Sequence, residues 1–414
     1  MKHLLKIISS LTILSTGILS VSCTNKNIKN KEDNISNNKE DNKDQTKPEN
    51  SPQDQPQANE PKEEINISEE EKQEVITALQ KVFKEQEDAF GSFHTYQDVV
   101  DQLKVYLEDN GFKYLEYLKL TNQEQKLINL KVDKEHKKLN EISINYFDKK
   151  IIFTPNTVLE NKVQDKYNSN NNELIQIGYE LQRTVNNIKL TNVKDTTIKV
   201  PKHLPLKINS LDETFKDLKS EKIDNLEKWN TKNIKFLTKT FEEAKNFNQS
   251  INSWDVSNVI DMTEMFAGAS KFNQNLNSWD TSKVQSMKGM FWDAESFNGN
   301  ITNWNVKTVD DMQNMFSGAK NFNIDLDKWD TSNVESMEGM FSRTDAFNGK
   351  ISNWNTSKVI SMKQMFQESK SFKQDLSLWD VSKVTHAEMF RKGSEKNIID
   401  DYLPKFPESI RKTL

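Results

Sequence analysis

Reactive side chains have few places to sit in this chain of 414 residues. Its one cysteine, Cys23, follows Ser22 at the end of an apolar run over residues 7–21, with Lys2 and Lys6 ahead of it. A thiol so placed is the acceptor of a diacylglycerol in a lipoprotein signal, and the run is too short, and too rich in Ser and Thr, to span a bilayer comfortably. Ser20-Val21-Ser22 departs from the usual Leu three residues before the Cys with Ala-Gly between, so a plain secretory signal stays open as the alternative. The five histidines, His3, His94, His136, His203 and His386, form no H-E-x-x-H or Cys/His metal set. The pairs Asp310-Asp311 and Asp400-Asp401 suit acid–base chemistry, but surface pairs of this kind are abundant. Neither a phosphate-binding G-x-x-x-x-G-K-[ST] loop nor a G-x-S-x-G elbow occurs. The expectation is therefore a protein with no catalytic residue, no metal and no cofactor: not an enzyme.

Charge narrows the partners further. The formal net charge is −5, and residues 229–390 carry 17 Lys plus Arg against 20 Asp plus Glu. That is no basic footprint for nucleic acid. Only four Arg accompany the many Lys, Asn and Ile, a bias that fits an AT-rich bacterial genome.

The strongest pattern is periodic. Trp229, Trp254, Trp279, Trp304, Trp329, Trp354 and Trp379 recur at one constant interval. Each is followed at fixed offsets by Val, Met, Met-Phe and a second Phe, as in Val259, Met262, Met265-Phe266 and Phe272. The first Phe of each unit gives a second series, Phe241, Phe266, Phe291, Phe316, Phe341 and Phe366. A fixed period means that one small unit is stacked on copies of itself until a continuous core forms, so these residues read as core and not as a ligand set. Met262 and Met265-Phe266 suggest a short helical turn, Leu276 to Trp279 a short extended stretch. The Asp or Asn after each Trp (Asp255, Asp280, Asn305, Asp330, Asn355, Asp380) reads as a turn cap rather than a calcium ladder. Ile208, Leu211 and Phe215 read as a weaker first unit, and the last reads as one that has lost a residue, because Phe390 stands 11 rather than 12 positions after Trp379.

On these residues, above all W-D-V-S-N-V-I-D-M-T-E-M-F-A-G-A-S-K-F-N-Q over 254–274 and W-D-T-S-K-V-Q-S-M-K-G-M-F over 279–291, residues 204–391 resemble the mycoplasma "domain of unknown function" repeat grouped with BspA-like leucine-rich-repeat surface proteins. The resemblance implies a leucine-rich-repeat-like solenoid on a cell-surface lipoprotein, and it carries no catalytic residues.

The predicted organisation follows. Residues 1–22 are a lipoprotein signal peptide and 23–65 a disordered tether, where Ile28, Ile35 and Ala58 are the only apolar side chains between 24 and 64. Residues 66–200 form a small α+β domain with a helix after Ser68, a second over 97–107, and strands at 142–146, 151–153 and 174–177. Pro201 and Pro205 punctuate the entry to the solenoid of 25-residue coils, 201–391, built of short parallel strands plus short helical turns, and 392–414 cap it. The fold class is thus α+β. The expected function is that of a lipid-anchored protein on the outer face of the cell membrane, its array binding a host or bacterial surface macromolecule and exposed to antibodies, with no nucleic acid among its partners. Trp292 and Arg343, at offsets outside the core set, are the candidate contacts. Two rivals place the activity in 66–200: a substrate-capturing lipoprotein of a transport system, or an enzyme that uses His94 or His136.

Overall fold

The protein is described here by a computed structural model covering Ile65 and residues 67–414. The expected signal, Cys23 and all of the tether before Ile65 lie outside the described residues.

Helix α1, Glu69–Glu85, starts where its sequence says it must. Ser68 Oγ accepts the Glu71 amide at 3.1 Å, and the Glu71 carboxylate accepts the Ser68 amide at 2.8 Å, a reciprocal cap. Thr95 and Asp98 do the same for α2, Tyr96–Asp109. Both helices bury one apolar stripe, Val75, Leu79, Val82 and Phe83 from α1, and Val99, Val100, Leu103 and Leu107 from α2. These stripes share a core with an antiparallel sheet of order β1-β2-β3, Leu118–Leu120, Ile142–Tyr146 and Lys149–Phe153, in which Ile142 faces Phe153. Alternation in β2 puts Ile142, Ile144 and Tyr146 inward.

Five short strands follow: β4 (Lys162–Val163), β5 (Lys166–Tyr167), β6 (Leu174–Gln176), β7 (Tyr179–Gln182) and β8 (Asn187–Leu190). They pair antiparallel as β4-β7-β8 and β5-β6. Their inward residues, Val163, Leu174, Ile177, Tyr179 and Leu190, belong to the same core as the repeats. Parallel bridges Lys189↔Ser210 and Lys199↔Asp224 carry the backbone pairing past residue 200. No break in packing marks the expected boundary there. The expected punctuation at Pro201 is part of the repeat pattern instead: its carbonyl accepts the Trp229 indole N–H at 2.9 Å.

The described chain is thus mixed, with few helices and small antiparallel sheets. Within the repeats the expected strand and helical turn are replaced by something tighter. Each repeat contributes a single parallel bridge, Phe236↔Asp261, Asp261↔Ser286, Ser286↔Asp311 and onward to Ser361↔His386, just ahead of the first Met. From Met262 on, amides alternate between two acceptors. Met265, Ala267 and Ala269 bond three residues back, to Met262, Glu264 and Phe266, whereas Glu264, Phe266 and Gly268 bond the next repeat at Lys288, Met290 and Trp292. A helix would need negative φ throughout, but Glu264 and Gly268 have φ of 54° and 70°, so each turn is undone by the next and the run stays open to its neighbours.

The apolar series stack as columns. Trp279, Trp304, Trp329, Trp354 and Trp379 lie 6.1–6.3 Å apart, with neighbouring rings within 7° of parallel. Phe266 lies 5.6 Å from Phe291, which in turn lies 3.7 Å from Phe297 of its own repeat. Every indole N–H of the column reaches the preceding repeat, as in Trp304 Nε1 to Leu276 O at 2.9 Å and Trp354 Nε1 to Leu326 O at 2.9 Å. The weak first unit is present, with Phe215 stacked on Phe241 at 5.1 Å. The last unit has not lost a residue. Phe366 N bonds Phe390 O as Phe341 N bonds Met365 O, so Phe390 occupies the second Met column and Arg391 stands where the Phe column would continue. The Arg391 guanidinium bonds Ile398 O and Asp400, Phe390 turns edge-on to Phe366 at 77°, and Phe406 covers it at 5.2 Å. A cation ends the ring stack and the C-terminal residues close it.

Candidate binding site

Two positions in each repeat, the tenth and the fourteenth after its Trp, take the left-handed conformation: Glu264 and Gly268, Gly289 and Asp293, Asn314 and Gly318, Gly339 and Arg343, Gln364 and Glu368. Side chains at non-glycine positions lie across glycines of the following repeat. A Cβ on Gly339 would overlap Asn314 Oδ1, and one on Gly318 would overlap Asp293 Oδ1. Gly318 thereby leaves room for an ion pair two repeats long, Arg343 Nη2 to Asp293 Oδ1 at 3.1 Å.

This face holds a shallow pocket of about 240 Å3, and both sequence-chosen contacts line it. Trp292 forms one wall and is 40% exposed, whereas the Trp of the core column are 3–4% exposed. Arg343 forms another, fixed by Asp293. Ser317, Ser342 and Gly339 line it too, as do Asn314, Gln364 and Gln367. Trp292, Ser317, Ser342 and Gln367 occupy equivalent positions in consecutive repeats, the thirteenth after each Trp. Ser317 and Ser342 are only 4% and 8% exposed, yet their hydroxyls have no hydrogen-bond partner among the described residues.

Of the other sequence-chosen residues, the Trp and Phe series are buried as core. Asp255, Asp280, Asn305, Asp330, Asn355 and Asp380 each accept the amide two residues on, at 2.9–3.1 Å. They are turn caps. The hydroxyl and amide of the following Ser hold Asp255, Asp330 and Asp380 below the usual carboxylate range. No group of three or more His, Cys, Asp or Glu among the described residues is arranged to hold a metal ion.

His94 is 3% exposed and fully engaged. Tyr179 donates its hydroxyl hydrogen to Ala89 O at 2.9 Å and so accepts from His94 Nε2 at 3.0 Å, while His94 Nδ1 accepts the Gly91 amide at 3.1 Å. His136 is exposed, with Nδ1 3.0 Å from Asn156 O. Of the sixth and seventh residues after each Trp, Asp261, Ser286, Asp311, Ser336 and Ser361 are half-buried bridge residues, while Gln285, Asp310, Glu335 and Ile360 face solvent.

Sequence reasoning missed an amide ladder. Asn248 Oδ1 accepts the Asn273 amide at 2.9 Å, and the contact recurs from Asn273 to Asn298, Asn298 to Asn323 and Asn323 to Asn348, at 2.8–2.9 Å. Its signal was the dipeptide Phe-Asn at 247–248, 272–273, 297–298, 322–323 and 347–348.

Comparison with known proteins falls on the same segment. A family model described as "Mycoplasma protein of unknown function, DUF285" matches residues 209–328 and again 300–401, together just under half of the chain. No curated protein and no solved structure matches. The two overlapping matches begin and end within the stacked repeats, and over residues 209–401 the chain is similar to that mycoplasma repeat family.

Proposed function

We propose that the repeats form a leucine-rich-repeat-like solenoid of the BspA-like kind, carried by a lipid-anchored protein of the outer cell-membrane face, and that the array binds a macromolecule of a host or neighbouring bacterial surface. The carrying observation is the division of labour within each repeat. Trp, Met and Phe columns, tied by indole N–H bonds, fix a framework, while the tenth, thirteenth and fourteenth positions after each Trp change freely along one face. A fixed framework with variable surface columns suits recognition over a broad area. The role is one of binding, without catalysis. Cys23 as the acylated N-terminus would place the array outside the membrane, and a family of mycoplasma proteins fits that setting.

Two measurements test this. Mass analysis of the N-terminal peptide from native membranes should find acyl groups on Cys23, and a free thiol there would remove the anchor. The mature full chain, labelled, should bind host cells or sibling surface proteins saturably. Absence of binding to all of them would remove the adhesive reading and leave a passive coat antigen.

A further inference from the structure

We propose that the pocket between Trp292 and Arg343 binds a single hexose ring of a glycan. The proposal deepens the binding reading above by naming a site and a ligand class.

The observations converge on a neutral polyol. An exposed indole offers a flat apolar face of the kind that packs against the C–H face of a pyranose. A sugar ring also presents hydroxyls around its edge that both donate and accept, and the pocket supplies matching groups. Asn314 and Gln367 carry amides with both functions, and neither makes a side-chain hydrogen bond among the described residues. The hydroxyls of Ser317 and Ser342 are likewise unpaired, on residues that are nearly buried and keep what surface they have at the pocket wall. Polar groups so placed gain from a ligand that can pair with them. These donors and acceptors line the pocket and await a ligand of the same chemistry.

Charge and size restrict the ligand. Arg343 is already paired with Asp293 at 3.1 Å, so an anion would have to compete for it. At about 240 Å3 the pocket lies below the roughly 300–1,000 Å3 of ordinary small-molecule sites, which fits one ring and not an oligosaccharide laid flat. Gly339 leaves Asn314 its place in the lining, because a side chain there would displace it. The lining residues come from consecutive repeats, so the site exists only once the array is stacked.

The test uses the mature full chain with methyl glycosides of glucose, galactose and N-acetylglucosamine at millimolar concentration, followed by saturation-transfer NMR. The expected result is transfer to the C–H protons of one ring face. Affinity should fall at least tenfold in Trp292→Ala and in Gln367→Ala, be retained in Trp292→Phe, and leave the thermal midpoint unchanged, since Trp292 is outside the core. No transfer to any glycoside, transfer unaltered in Trp292→Ala, or a preference for adenosine over every sugar would overturn the proposal. Cell binding is scored separately. Its loss with glycoside binding intact sinks the surface-adhesion reading and not this one, and the converse outcome sinks this one alone.

Discussion

At the scale of the residue, the left-handed positions are where the array stores strain. Glu368 holds φ at 56° and makes no ion pair among the described residues, and an L side chain in that region costs on the order of 1 kcal/mol. Glu368→Gly should therefore raise stability by a few tenths to about 1 kcal/mol, seen as a higher urea midpoint with an unchanged slope. A lower midpoint would show that the Glu side chain contributes more than its backbone costs. Gly299 makes the opposite case. Its φ is not positive, but a Cβ there would overlap the backbone carbonyl of Gln274 in the preceding repeat, which cannot swing aside. Gly299→Ala should cost more than about 1–3 kcal/mol, the usual penalty for overpacking, and a melt unchanged from wild type would refute this account of close repeat approach. None of this was legible in the sequence. The fourteenth position after each Trp holds Gly268, Asp293, Gly318, Arg343 and Glu368, a set with no common chemistry, because what it shares is a backbone angle.

At the scale of the element, the 25-residue unit is held to its neighbour by more than apolar area. Trp304 stacks on Trp279 at 6.1 Å and donates to Leu276 O at 2.9 Å. Trp304→Phe keeps a ring in the column but leaves Leu276 O with the Trp279 amide alone, at 3.2 Å, so the loss of one hydrogen bond, about 0.5–1.5 kcal/mol, should appear in denaturant melts. No measurable loss in Trp304→Phe beside a large one in Trp304→Ala would mean that the ring alone matters and the indole N–H does not. The columns themselves were legible because a core must be apolar at every copy, and α1 and α2 were legible from Ser68, Thr95 and their helical stripes. The local shape of the unit was not. Met262, Met265 and Phe266 have the i, i+3, i+4 spacing of a helix, and successive tight turns broken by positive φ at Glu264 and Gly268 give the same inward spacing, since apolar periodicity does not record the sign of φ. Phe390 misled for a related reason: counted from Trp379 it looks like a deletion, while the hydrogen bonds show a Phe in a Met column and Arg391 in the next.

At the scale of the whole molecule, the region carrying α1 and α2 and the repeats are joined by interior contacts. Phe93, beside His94, packs in the repeat core 5.7 Å from Tyr179, and Gln102 of α2 accepts the Leu206 amide at 2.7 Å. The residues at 201–205 looked like a border because Pro rarely continues an element, yet a proline carbonyl serves the Trp229 indole as well as any other. That joint should make stability pH-dependent. Burial holds His94 neutral and lowers its pKa from 6.5 to about 4, while the Gly91 carbonyl, 3.1 Å from Nδ1 and able to accept from the protonated ring, acts the other way. Because the folded value lies below the unfolded one, the unfolded chain takes up a proton first as pH falls. Stability is then fully present above pH 6.5 and declines toward pH 4, by about 3 kcal/mol over the window. The turn-capping carboxylates, also held low, add their loss only below about pH 4, where unfolded Asp begins to protonate. Urea melts at pH 7, 6 and 5 should accordingly show wild type weakening while His94→Gln, which cannot take a proton there, stays nearly flat. Parallel declines in the two proteins would mean that the buried imidazole is not what couples the joint to pH.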